Sequence, residues 1–253
     1  MISGKRVIVA MLTALMAVTF TANTAVSVYA TGVTATENAQ TIDAQSTDAQ
    51  ALTPEEQKAQ ELQQVYDMPV ESNGYKDWPQ GPGTYGEAGI VMEVGTGAIL
   101  YAKNIDAHEY PASITKVLTA LVALENGQLT DNVTFSHDSV AFLQRGDSSV
   151  GLKEGNVITL DQAMHAMLLA SANEAAYAIG ESVGVNAGHD YNWFIEQMNS
   201  RCKELGGENS NFANTNGLHD PNHYTCARDM ALTPLVPIGK NLLMIILSSC
   251  SKD

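Results

Sequence analysis

Ser113 and Lys116 are the pair in this chain whose types and spacing can do chemistry. Three residues apart on a helix, they lie on neighbouring parts of one face. A serine hydroxyl is a weak nucleophile until a base removes its proton. A lysine serves as that base only when burial or positive neighbours bring its pKa toward neutrality. The segment Pro111-Ala112-Ser113-Ile114-Thr115-Lys116 opens an apolar helical pattern. The free N–H groups and positive dipole end there disfavour a lysine cation and favour an oxyanion. The competing reading has Ser113 as a plain helix cap and Lys116 as a solvated charge. Spacing alone does not separate the two. Ser200/Lys203 and Ser249/Lys252 have the same spacing.

A second polar cluster adds context. Ser171-Ala172-Asn173 is the single Ser-x-Asn of the chain. It falls at a break between two helical patterns, where a short loop can point into a cleft. A second hydroxyl there can relay a proton toward a leaving amine. The Asn amide offers a donor and an acceptor to a substrate peptide group. Its competing reading is that Ser171 and Asn173 cap the following helix.

The elements that must position these residues are legible in outline. Ala88–Val94 and Ala98–Lys103 are β-prone runs around Gly95-Thr96-Gly97, and predict a hairpin. Ile114, Val117, Leu118, Leu121 and Val122 recur at helical spacing, with Gly127 as a stop. Thr159 and Gln162 have capping-box spacing ahead of a Leu160, Met164, Met167, Leu168 stripe. Ala175, Ala176, Ile179 and Val183 mark another helix. Tyr191, Phe194, Ile195, Met198, Cys202 and Leu205 mark a third stripe, stopped by Gly206-Gly207. A hairpin leading into a helical block predicts a mixed α/β domain.

Ahead of the domain, Lys5-Arg6, the apolar run Val7–Phe20 and Val28-Tyr29-Ala30 fit a secretory signal peptide over residues 1–30, with an uncleaved anchor as the alternative. Residues 31–86 read as a disordered linker and loop, with a short helix from Pro54 to Met68 capped by Thr53. The 253 residues carry a formal charge of −15 and 6% aromatics. Phosphate backbones and base-stacking surfaces are therefore poor partners, and no nucleic acid is expected. Three cysteines are too few for a disulfide scaffold; Cys202 and Cys226 can pair, leaving Cys250.

The segments Pro111–Ala120 and Leu168–Ala176 resemble the first two motifs of the D-alanyl-D-alanine carboxypeptidases. These are the low-molecular-weight penicillin-binding proteins, among the penicillin-recognising serine enzymes. Phe212–Leu218 and Thr225–Leu232 resemble two further segments of that family, in the same order. The resemblance implies a β-lactamase/transpeptidase-like α/β (α+β) fold, an antiparallel sheet packed with a helical block, over residues 87–232. It implies that Ser113 attacks the carbonyl between the terminal D-alanines of a peptidoglycan stem peptide, with Lys116 as general base. Ser171 would pass the proton to the departing D-alanine, and Asn173 would hold the peptide and position Lys116. β-Lactams would acylate the same serine. No metal and no organic cofactor is implied, and the setting is secreted and cell-wall-associated.

The family's third motif, Lys-Thr-Gly, would help bind the substrate carboxylate, and its strand supplies one of two oxyanion donors. No Lys, Arg or His of this chain precedes Thr-Gly or Ser-Gly. Residues 233–253 carry no family pattern, and Asn241-Leu242 after Lys240 rules that lysine out as a substitute. The expectation is a domain without its C-terminal strands, inactive or nearly so.

Rival signals are weaker. His219, Asp220 and His223 sit among Gly, Pro and Asn, where no helix fixes metal-binding spacing. Arg145-Gly146-Asp147 is an adhesion-like tripeptide of the kind chance supplies. No Gly-x-Ser-x-Gly elbow is present. A class A β-lactamase would want Ser-Asp-Asn where this chain has Ser171-Ala172-Asn173. A non-catalytic binder of cell-wall peptides is the alternative from another class.

Overall fold

The computed structural model describes residues 52–93 and 95–233. The signal-peptide reading, the tail from 234, Lys240, Cys250 and the Ser249/Lys252 pair lie outside the described residues.

The first helix, α1 (Pro54–Tyr66), starts where sequence reasoning places it. Thr53 and Glu56 close a reciprocal capping box, and Pro54 occupies the first turn. None of its residues is buried. Its attachment comes instead from the hairpin further along the chain. Strands β1 (Gly89–Met92) and β2 (Ile99–Lys103) pair antiparallel, with an irregularity between Val91 and Met92. Lys103 on β2 is fully buried, and its Nζ donates to Val65 O and Thr84 O at 2.6 Å each. Val65 O belongs to the last turn of α1, where carbonyls lack helical partners.

The stretch before the hairpin also bonds to β2. Trp78 Nε1 donates to Leu100 O at 2.8 Å, Ser72 Oγ accepts from Ala102 N, and Tyr101 Oη donates to Pro82 O. Ordered structure therefore begins ahead of Ala88, the start read from sequence. The strap is held by hydrogen bonds to a strand edge, and these leave no apolar period to read.

The helical block forms as expected. Helix α2 (Thr115–Asn126) comes after a 3-10 turn at Ala112–Ile114 and ends at Gly127. Helix α4 (Leu160–Leu169) has the Thr159/Gln162 capping box. Helices α5 (Asn173–Asn186) and α6 (Tyr191–Glu204) come next, the latter capped by Asp190. Helix α5 is central and packs against α2, α4 and α6. Its face of Ala175, Ala176, Ala178 and Ile179 is completely buried. Small side chains there let helix axes approach closely. Phe194, Met198, Leu118, Leu121, Met164 and Met167 fill the same core.

Four short elements escape sequence reading. Strands β3 (Asn132–Thr134) and β4 (Val157–Thr159) form a second antiparallel pair. Helix α3 (His137–Ala141) lies between them, and α7 (Ala227–Leu232) starts from a Cys226 cap. Elements of three to six residues are too short for a period to register. Cys202 and Cys226 are both buried and both free thiols, so the pairing that the sequence allows is not made.

Candidate active site

The 3-10 turn at Ala112–Ile114 presents Ser113 at the surface, while α2 buries Thr115 and Lys116. Lys116 is in the first turn of α2 and only 2% exposed. Its Nζ donates to Ser113 Oγ at 3.1 Å, Asn173 Oδ1 at 2.8 Å and Asn216 O at 2.7 Å. Ser171 Oγ donates to Ser113 Oγ at 2.8 Å. All four residues singled out in the sequence thus meet at one place, across sequence gaps of 57 and 58 residues.

Both bland readings give way to this geometry. Ile114, not Ser113, is the N-cap position of α2, and no side chain caps there. Ala172 holds that position in α5, again without a side-chain cap. The hydroxyls and the amide that would have capped are turned to Lys116 and to one another.

The backbone is strained where it presents the two serines. Ala112 has φ 47° and Ser171 has φ 55°, in the left-handed region that costs a non-glycine residue roughly 1 kcal/mol or more. Gly217 (φ 82°) packs on the first of these turns. A Cβ there would sit 1.7 Å from Ala112 O, so only glycine fits.

Burial sets the charge of Lys116. Desolvation brings its pKa down from 10.5 to about 8, and the nearby Glu174 carboxylate partly opposes this. An amine with that pKa is neutral in an appreciable fraction of molecules near pH 7. Asn173 Oδ1 and Asn216 O engage two N–H groups. A neutral amine then has its lone pair left for the third direction, toward Ser113 Oγ. The arrangement can therefore take a proton from a serine hydroxyl and pass charge through a second hydroxyl.

Sequence reading missed the residues that hold this geometry. Asn216 acts through a backbone carbonyl, which has no side-chain signature. His223 is 1% exposed; its Nδ1 accepts from Ala213 N at 3.0 Å, so its Nε2–H faces Thr115 Oγ1 at 2.8 Å. Desolvation lowers its pKa to about 4. Thr119 Oγ1 donates to Thr215 O at 2.7 Å, and Tyr191 Oη accepts from Thr215 N at 3.1 Å. The 213–217 segment is thereby pinned beside α2. Its likeness to a family segment was the available signal. The candidate metal trio separates: His223 has both ring nitrogens engaged, His219 packs edge-on to Tyr110, and Asp220 accepts from Asn222 N. Among the described residues no three His, Cys, Asp or Glu groups converge as a metal site.

A serine bonded to a buried lysine amine and a second serine, where the turn before α2, the start of α5 and the 213–217 segment meet, is an arrangement of the kind serine acyl transfer needs. Comparison with known proteins agrees. The D-alanyl-D-alanine carboxypeptidase (peptidase S11) family model matches residues 79–242, and the chain belongs to that family. It is similar to the D-alanyl-D-alanine carboxypeptidase DacA of Haemophilus influenzae, 34% identical over 148 residues, covering 56% of this chain and 37% of that relative. Against DacF of Bacillus subtilis the identity is 33% over 151 residues, covering 58% and 37%. The chain thus spans about two fifths of the length of the curated relatives it matches. Among solved structures, penicillin binding protein 5 from Haemophilus influenzae superposes with a TM-score of 0.57 and 30% identity, covering 66% of this chain and 48% of the other. The Streptomyces K15 DD-transpeptidase superposes at 0.57 with 26% identity, covering 62% of each.

Proposed function

We propose that this chain carries a D-Ala-D-Ala carboxypeptidase site in which Ser113 forms an acyl-enzyme with the penultimate D-alanine of a peptidoglycan stem peptide. The observation that supports this best is Lys116, buried, its N–H groups held by Asn173 and Asn216, with Ser113 Oγ 3.1 Å away. Neutral Lys116 takes the Ser113 proton as Oγ attacks the carbonyl carbon. Ser171 carries a proton from the lysine side to the leaving D-alanine nitrogen. Asn173 spends its Oδ1 on Lys116, which leaves its amide N–H groups to grip the substrate. Water then hydrolyses the ester and frees Ser113. β-Lactams enter by the same attack and stay as slowly hydrolysed esters. The catalytic unit is residues 87–232, and the place of action is outside the cytoplasm, where the stem peptide is.

Fluorescent penicillin tests this reading. The expected result is one covalent label per chain, mapped to Ser113 by peptide mass and absent from Ser113→Ala. An unlabelled wild-type chain would leave only a binder of cell-wall peptides, and rapid nitrocefin turnover would favour a β-lactamase. Labelling should rise with pH through about 8, because the base is the neutral amine and burial puts its pKa there. A flat profile from pH 6 to 9 speaks against Lys116 as the base. Peptide turnover is a separate measurement, since the 253 residues hold no Lys-Thr-Gly.

A further inference from the structure

The carbonyl that accepts from Lys116 belongs to an Asn-Gly dipeptide, a pair prone to losing its side-chain amide. The nitrogen of the following residue attacks the asparagine side-chain carbonyl carbon, and glycine has no Cβ to hinder the approach. Asparagine counts among the thermolabile residues. The chain has three such pairs, Asn73-Gly74, Asn126-Gly127 and Asn216-Gly217. Their side chains are held differently. Asn73 spends both ends of its amide on Gly81, Nδ2 donating to Gly81 O at 3.0 Å and Oδ1 accepting from Gly81 N at 2.6 Å. Asn126 Nδ2 reaches back along α2 to Val122 O at 2.8 Å. Asn216 is the one of the three that folds forward. Its Oδ1 accepts from Leu218 N, two residues on, at 2.9 Å. That bond lays the side-chain carbonyl over the Gly217 peptide.

The Gly217 nitrogen is itself engaged. It donates to Asn214 Oδ1 at 2.7 Å, while Asn214 Nδ2 donates to Leu218 O at 3.0 Å. An amide nitrogen attacks only after losing its proton, and Oδ1 holds that proton away from bases in solvent. Glycine is obligatory at 217, with φ 82° and the Ala112 carbonyl where a Cβ would be. The fold thus keeps the hazardous half of the dipeptide and sets a masking acceptor beside it.

We propose that Asn216-Gly217 is a latent succinimide site, that Asn214 keeps it closed, and that its conversion disables the Lys116 base. The deprotonated Gly217 nitrogen bonds to Asn216 Cγ, the Cγ–Nδ2 bond breaks, and the amide leaves as ammonia with the proton that Gly217 gave up. Water then opens the cyclic imide at either carbonyl. Opening at Cγ gives aspartate on an unchanged main chain. Opening at the main-chain carbon gives isoaspartate, with the chain now running through Cγ. The oxygen that accepts from Lys116 Nζ at 2.7 Å then belongs to a carboxylate. A full negative charge there holds the lysine as its cation. The main chain also gains a carbon beside the turn that presents Ser113.

The mass readouts test this site whatever Ser113 does, and the labelling readout rests on the carboxypeptidase reading. The full wild-type chain and Asn214→Ala are held folded at pH 8 and 37 °C. Peptide mass follows conversion at each Asn-Gly pair, and electron-transfer fragmentation tells isoaspartate from aspartate. In Asn214→Ala, conversion at Asn216 should rise at least tenfold, with Asn73 and Asn126 at their wild-type rates. Equal rates at Asn216 in the two chains overturn the proposal. Asn214→Asp separates the mask from a general loosening, because it keeps an acceptor for Gly217 N and loses the donor to Leu218 O. It should stay at the slow wild-type rate, and a rate matching the alanine variant refutes the mask. Should the alanine chain not fold, the wild type decides: unfolding in urea should speed conversion at Asn216 at least a hundredfold, and a folded chain that converts as fast as the unfolded one overturns the proposal. In aged Asn214→Ala, penicillin labelling should fall in proportion to isoaspartate at 216, and full labelling of converted chains refutes the link to Lys116. A fresh wild-type chain that takes no label counts against the acyl-enzyme reading alone; the masses still judge the succinimide site.

Discussion

The start of α2 and the end of α6 carry the same spacing, Ser-x-x-Lys, and have different fates. At α2, Ser113 is exposed while Lys116 is buried, with three acceptors around its Nζ. At α6, Ser200 and Lys203 are both exposed, and Lys203 sits in the last turn, where a cation complements the helix dipole. Three residues of spacing bring an amine and a hydroxyl onto one face in both places. Desolvation and two firm acceptors, supplied by α5 and the 213–217 segment, exist only at the first. A spacing is a precondition for this chemistry, and the packing around it makes the base.

Breaking the α2 site should have the largest effect. Ser113→Ala should abolish covalent penicillin labelling outright, measured by gel fluorescence and intact mass. Lys116→Ala should slow labelling by about 10²–10⁴-fold, the usual worth of a general base, read as the second-order acylation rate.

Gly217→Ala attacks the same site through its backbone. The new Cβ meets Ala112 O at 1.7 Å, and φ 82° is unfavourable for alanine. A loss of roughly 3 kcal/mol or more in urea unfolding is expected, with labelling impaired. Normal labelling and stability in this variant would mean the 213–217 segment does not hold the Ser113 turn.

His223 sharpens the comparison through pH. Its folded pKa of about 4 is below the ordinary 6.5, so the folded state binds fewer protons than the unfolded state between those values. Its contribution is present above pH 6.5 and is lost as pH falls toward 4, up to about 3 kcal/mol. Chemical denaturation across that window should show the slope, and His223→Asn should flatten it. The smallest effect belongs to the α6 pair: Ser200→Ala and Lys203→Ala should each change labelling less than twofold. A larger drop would put chemistry where the comparison places none.

The helical block was legible because its physics is local and repetitive. The Thr159/Gln162 box, the Gly127 stop and the stripes of α4 and α6 each follow from neighbouring residues. The strap over β2 and the β3–β4 pair were not legible, since both depend on partners far along the chain. Of the site, Ser113, Lys116, Ser171 and Asn173 were found by residue type, spacing and likeness to a family. Asn216, Gly217 and His223 were not assigned roles, because they act through a carbonyl, an absent side chain and a buried tautomer.

By itself the sequence determined which hydroxyls, amine and amide were available, and that helices would present them at their ends. Only the tertiary structure decided that Ser171 and Asn173 arrive at Ser113 and Lys116 from nearly sixty residues away. It alone decided the ionisation of the lysine, because a pKa depends on the water excluded and the charges enclosed around a group, and both are set by packing.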